Sequence, residues 1–140
     1  MDDPYAFQLD PQLEKDTVPI ADWHLCQVRL MNDSRYPWVI LIPKVPDIAE
    51  IHELAEEQQH LLLGESVRLS KALDQLFAPH KLNVAALGNM VRQLHIHHIV
   101  RFEGDASFPK PIWGVGEAVP YDSDVLHETV NGLRIALDLL

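Results

Sequence analysis

The sequence predicts an α+β domain: an antiparallel sheet of about five strands, one long helix and a C-terminal helix. Three observations predict it. Polar and apolar residues alternate from Gln93 towards Arg101, and alternation at period two means a strand whose neighbouring side chains face opposite ways. Residues 38–42 are wholly apolar, as a central strand buried on both faces should be. Residues 55–77 contain no proline and a single glycine, Gly64, while Leu62, Ser66, Leu69, Leu73 and Leu76 recur at helical spacing. At 140 residues, 47% of them hydrophobic, the chain suits one domain with a real core.

The elements follow in order. Residues 7–15, with Leu9, Pro11 and Leu13, suit a short helix or turn. Residues 16–22 form a weak edge strand interrupted by Pro19. In residues 23–30, Cys26, Val28 and Leu30 alternate with Gln27 and Arg29, which puts Cys26 on the apolar face as a core thiol. Asn32, Asp33 and Ser34 make a turn, so this strand forms a hairpin with residues 38–42. Pro43 and Pro46 end that strand, and Lys44 between them is read as solvated. Asp47 is expected to cap a short helix through Leu54. The long helix of about 22 residues, roughly 33 Å, is stopped by Pro79. His52, His60 and His80 have exposed or capping roles. Residues 82–86 are a short strand, and Leu87, Gly88 and Asn89 turn the chain into the histidine strand. A loop rich in Gly, Asp and Pro fills residues 101–113. Asp122 or Ser123 caps a last helix that runs to about Leu139, with Val125, Leu126, Val130, Leu133 and Leu137 as its apolar side.

Charge excludes some partners. The net charge is −10, and an acidic chain is repelled by DNA and RNA, so no nucleic-acid polymer is expected. No apolar run is long enough to span a bilayer, so no membrane partner is expected. Residues 1–5 lack the basic start of a signal peptide, and one cysteine allows no internal disulfide. A cytoplasmic location follows as the expectation. The sequence implies no cofactor.

The chemistry concentrates at Gln93, His95 and His97, which a regular strand would line up on one face. Side chains two apart on a strand stand about 6–7 Å apart, near enough to share one phosphate or one metal ion. Three readings compete. In the first, His95 attacks phosphorus and forms a covalent nucleotidyl intermediate, while His97 and Gln93 donate to the oxygens and Asn83 and Asn89 supply amide hydrogen bonds. In the second, His95 and His97 bind a metal, but no third ligand is placed by spacing. In the third, the histidines only pack and hydrogen-bond within a sheet. Arg92 points off the Gln93 face, and Arg101 is read as solvated.

The same residues resemble the histidine triad (HIT) superfamily of nucleotide hydrolases and transferases. Gln93-Leu94-His95-Ile96-His97-His98-Ile99 is similar to the family's His-φ-His-φ-His-φ-φ, with φ apolar. Leu87-Gly88-Asn89-Met90-Val91 is similar to its Ala-Gly-Gln-x-Val, and Asn83 to its leading Asn. Trp38 to Lys44 resembles the family strand that ends in Ile-Pro-Lys, and Pro109 to Gly114 looks like a feature of a bacterial HIT-like subgroup. The resemblance implies a single HIT-like domain over residues 1–140, usually as a homodimer. It implies a purine nucleotide or dinucleoside polyphosphate as ligand, with hydrolysis or nucleotidyl transfer at the α-phosphate. His95 falls on the family nucleophile and His97 on its phosphate-site partner. A nucleotide-binding module with weak or no catalysis is the alternative, and a metal-binding protein using His95 and His97 a further one. Four positions depart from the pattern: Gln93 stands for the first histidine, Trp38 for another active-site histidine, Met90 for a hydroxyl residue, and His98 for an apolar one. Gln93 cannot ionise and so cannot serve as an acid. Trp38, among apolar neighbours, is read as a core residue.

Overall fold

Strand order β1-β2-β3-β5-β4 makes one antiparallel five-stranded sheet in the computed structural model, which describes residues 6–138. The reading of residues 1–5 and the expected helix end at Leu139 therefore lie outside the described residues. The strands are β1 (Thr17–Asp22), β2 (Cys26–Met31), β3 (Trp38–Pro43), β4 (Lys81–Ala85) and β5 (Ile96–Arg101). The helices are α1 (Pro11–Asp16), α2 (Glu56–Phe77) and α3 (Ser123–Asp138). The expected α+β architecture is what forms, with Pro19 on the edge strand at a break in the β1–β2 register.

The sheet has two differently covered faces. Val28, Leu30, Val39, Leu41, Ile96 and Val100 face the helices and pack with Leu69, Leu73, Leu133 and Leu137. Buried apolar surface of this kind contributes about 25 cal/mol per Å² and is the main stabilising term. The opposite face carries Ile40 and Ile42 under Leu13, and Ile99 under Tyr36 and Ile112. So α1 covers one end of that face and the chain after β5 covers the other. Cys26 is fully buried, as expected of a core thiol, and burial pushes its pKa up.

Helix α2 starts where Gln58 Oε1 accepts from the Ala55 N–H (2.9 Å), and stops at Ala78, which is left-handed (φ 46°) just before Pro79. Its buried stripe is Leu62, Glu65, Leu69, Ala72 and Leu73. Leu76, expected in the seam, is 42% exposed instead, because the stripe rotates away at the last turn. Glu65 is the unexpected member. Its carboxylate accepts from the Leu25 and Cys26 N–H groups, both at 2.9 Å, where the chain enters β2.

Four smaller expectations are corrected. Asp47 caps no helix: it sits at φ 57°, and the short 3-10 turn Ile51–Glu53 begins after Glu50. Lys44 is not free in solvent but bonds the Trp23 carbonyl (2.8 Å) and pairs with Asp22 (2.7 Å). Val125 is exposed, because Leu126 rather than Val125 continues the Val130, Leu133, Leu137 stripe of α3. Arg101, read as solvated, is 1% exposed. No helix among the described residues is long and apolar enough to cross a membrane.

Glu65 generates a stability prediction. Glu65→Ala leaves two buried N–H groups without acceptors and costs about 2–4 kcal/mol. Glu65→Gln keeps one acceptor oxygen and costs less. Urea unfolding midpoints of the three proteins check the order.

Candidate functional site

The site lies on the sheet face away from the helices, where α1 and the chain after β5 leave a gap. A cavity of about 570 Å³ opens there. Its floor is Trp38, His95 and His97; its walls come from the turn before β5 and from the loop around Trp113. Register explains the floor. Ile40 pairs with His97 and Trp38 with Ile99, so Trp38 and His97 fall diagonally on one face.

Each histidine has a fixed hydrogen bond. His95 Nδ1 meets the Gln93 carbonyl at 2.7 Å. A carbonyl only accepts, so Nδ1 carries the proton and Nε2 keeps a lone pair. Trp38 Nε1–H donates to His97 Nδ1 at 3.0 Å. An indole N–H only donates, so Nδ1 of neutral His97 is bare and its proton is on Nε2. The two imidazoles stand 4.8 Å apart between centroids, edge to face. Trp113 closes the other side of His97 at 4.7 Å. Burial above all, then the neighbouring His95 and His98, pushes the His97 pKa down to about 3.

His98 points the other way, into the helix-facing core. It is fully buried; Nδ1–H donates to the Ile96 carbonyl (3.1 Å) and Nε2 accepts from the Ser66 hydroxyl (2.7 Å). Burial pushes its pKa down to about 4, against the opposing hydrogen bond to Ile96. A polar residue in an apolar layer is tolerated because both ring nitrogens are satisfied.

The structure brings together some of the sequence-derived site residues and separates others. His95, His97 and Asn89 line the cavity. The side chain of Gln93 does not. The regular strand begins only at Ile96, so the period-two projection fails before it. Gln93 instead accepts from the Asp10 N–H and donates to the Gln8 carbonyl, both at 2.9 Å, which straps the N-terminal segment to the strand entry. Asn83 is also outside the cavity. It is on β4, where its Oδ1 accepts from Arg101 Nη1 at 2.8 Å.

Arg101 was expected in solvent and is buried because its partners close around it. It pairs with Asp105 (2.9 Å), and it donates to Asn83, Ser107 and the Lys110 carbonyl. Burial pushes the Asp105 carboxyl up, but the hydrogen bonds from Arg101 and three backbone N–H groups outweigh it and hold it well below the usual range. This network ties the loop after β5 to the sheet and so carries Ile112 and Trp113 to the cavity.

Four contributors are not legible in the sequence. Trp38, read as core, is half-buried and bonded to His97. The signal was its place at the first position of β3, but only the β3–β5 register connects it to His97. Trp113 was seen as part of a loop, not as a wall. Asp33, read as a turn residue, forms an ion pair with Arg35 (2.8 Å) at the cavity margin. Burial raises the Asp33 pKa, but hydrogen bonds from Arg35 and from the Val119 N–H more than reverse it. Arg35 Nη1 also holds the Val115 carbonyl at 2.6 Å, fixing the far wall. In the near wall Gly88 sits at φ 73°, and a Cβ there would meet the Val91 carbonyl at 3.3 Å, so the turn needs glycine.

A metal reading finds little support in this geometry. Among the described residues no group of three or more His, Cys, Asp or Glu is placed to hold an ion. With Trp38 bonded to its Nδ1, His97 carries its proton on Nε2, so of the two site histidines only His95 offers a lone pair to the cavity.

The comparisons with known proteins agree with the geometry. The family model for the HIT domain matches residues 12–104. A histidine triad protein of Marinobacter aquaeolei VT8 superposes with TM-score 0.93 at 49% identity, covering 96% of this chain and 98% of that one. One from Bradyrhizobium japonicum gives TM-score 0.92 at 42% identity, covering 94% and 98%. One from Sinorhizobium meliloti 1021 gives 0.90 at 42%, covering 93% and 96%. No curated protein sequence matches the chain. The Trp113 wall lies beyond the matched residues of the family model.

His97 and His98 generate a pH prediction. Both have folded-state pKa values pushed below the ordinary 6.5, to about 3 and about 4. Between those values and 6.5 the unfolded chain binds more protons than the folded one, so stability falls as pH drops through that window. From pH 7 to pH 4.5 the expected loss from the two rings is on the order of 5 kcal/mol. Urea titrations at the two pH values measure it, and His98→Gln should remove about half of the dependence.

Proposed function

The chain belongs to the HIT family, and on that footing we propose that it binds a nucleotide and transfers the nucleotidyl group through a covalent intermediate on His95. The single observation that carries this reading is the 2.7 Å bond from His95 Nδ1–H to the Gln93 carbonyl. It holds the ring in the tautomer whose other nitrogen is a nucleophile. The substrate is a purine nucleotide derivative with a bond at the α-phosphate, such as a dinucleoside polyphosphate or a nucleoside phosphoramidate.

His95 Nε2 attacks the α-phosphorus, the leaving group departs, and water then releases the nucleotide. Nε2–H of His97 donates to a non-bridging phosphate oxygen, where charge grows in the transition state. Asn89 adds an amide at the turn that faces the same cavity. Gln93 serves through its backbone carbonyl, and its side chain holds the N-terminal strap. Asn83 serves through Arg101, by anchoring the wall loop. A nucleotide-binding module without turnover is the second reading, favoured by Met90 standing 97% exposed where a hydroxyl would assist departure. A homodimer is part of the proposal. Leu63 and Val67 lie exposed on α2, and sedimentation at micromolar concentration as a monomer would remove that part.

Replacing His95 separates enzyme from module. Incubation with an adenosine polyphosphate labelled at the α-phosphate should label the wild-type protein on His95, and His95→Ala should lose the label and at least about 10³-fold in kcat. Tight binding with neither label nor product in the wild type supports the module instead.

A further inference from the structure

We propose that Trp38 is a positioning residue that keeps His97 a neutral Nε2–H donor with no proton to give, and that the site is therefore built for a phosphoanhydride, whose leaving group departs as an anion. This rests on the reading of His95 as the nucleophile and names its substrate class.

The first half follows from one hydrogen bond. Trp38 Nε1 is 3.0 Å from His97 Nδ1. Protonating His97 would place a second hydrogen between the two nitrogens, so N–H would face N–H. Either the bond breaks or the ring stays neutral. The surroundings oppose breakage. Trp38 and Trp113 contact each other edge to face (5.6 Å), and both rings lie against His97. A histidine in place of Trp38 could accept as well as donate; an indole cannot. His97 is thus denied the cationic form that a general acid needs at neutral pH.

The second half follows from the remaining groups. Among the described residues that line the cavity, the titratable ones are Asp16, Asp33, Arg35, His95 and His97. Asp33 is held ionised by Arg35, and Asp16 accepts from Gln12 Nε2 (2.9 Å) at the end of α1. Arg35 does not deprotonate or donate a proton at neutral pH. The proton on His95 Nδ1 is committed to the Gln93 carbonyl. Gln93 has its side chain elsewhere, and Met90 has no proton to offer. No group is left to protonate a departing amine or alkoxide.

The electron count is complete without such a proton when the bond cleaved is a P–O–P anhydride. The Nε2 lone pair of His95 forms the N–P bond. The α-phosphorus to bridging-oxygen bond breaks, and its electron pair leaves on a phosphate or polyphosphate anion. Water then attacks phosphorus, the N–P pair returns to Nε2, and the proton of the water passes to solvent. A P–N bond fits poorly, since its nitrogen must gain a proton as it leaves.

Two measurements on the full chain decide the matter. Two-bond proton–nitrogen NMR of ¹⁵N-histidine protein at pH 7 should show His97 with bare Nδ1 and protonated Nε2. Trp38→Phe should mix the tautomers, while Trp38→His should restore the donor and the Nε2–H form. A His97 that carries its proton on Nδ1, or that is unmoved by Trp38→Phe, overturns the lock. In parallel, kcat/KM is compared for diadenosine tetraphosphate and an adenosine 5′-phosphoramidate. The anhydride should be favoured by about 10²-fold or more, the usual worth of a missing acid. Equal cleavage, with His95 labelled, overturns the anhydride preference and leaves the nucleotidyl reading standing. No cleavage and no label from either compound overturns that reading as well.

Discussion

The register between β3 and β5 is the constraint on which the site depends. With Ile40 opposite His97, Trp38 reaches His97 across the diagonal. A slip of one residue would send every side chain of β5 to the opposite face. His97 would enter the helix-facing core and His98 the cavity. The slip is opposed from both sides. Ile96 and Val100 are needed in the helix-side core, and His98 finds Ser66 there. The packing of one face therefore fixes the chemistry of the other.

The walls depend on a different interaction. Arg101 ends β5 with its guanidinium buried among Asn83, Asp105, Ser107 and the Lys110 carbonyl. Burying a cation is costly unless it is paired and hydrogen-bonded, and here it is both. The return on that cost is a loop with little regular structure that nevertheless presents Ile112 and Trp113 at a definite place. On the far side, Arg35 does the same between Asp33 and the Val115 carbonyl. Two buried or half-buried arginines thus substitute for secondary structure in shaping the cavity.

The electrostatics also fit together. The chain carries a net charge of −10, yet its cavity floor offers neutral donors. On the proposed reading, a neutral imidazole N–H donates to a phosphate oxygen without a positive charge in the apolar wall of two tryptophans. Burial pushes the His97 pKa down to about 3, so the ring is neutral at pH 7. The two cavity histidines are neighbours held in opposite tautomers: His95 protonated on Nδ1, His97 on Nε2. A backbone carbonyl sets the first and an indole the second.

By itself the sequence determined the α+β class, the long helix, the apolar central strand and the juxtaposition of His95 and His97. These are local properties: period, run length and proline placement act over a few residues, and the triad-like motif is contiguous. It also placed Cys26 correctly, since one alternating strand suffices to tell inside from outside. Only the tertiary structure decided the fate of Gln93, Asn83, Trp38 and Arg101. For Gln93 and Trp38 the deciding partner lies far along the chain, Gln8 and Asp10 for the one and His97 for the other; for Arg101 it is the irregular loop that follows β5, together with Asn83 across the β4–β5 pair, and no periodicity orients either. Periodicity predicts which way a side chain points while the strand is regular. It cannot predict where the strand begins, or which distant polar group will satisfy a residue that folding has taken out of water.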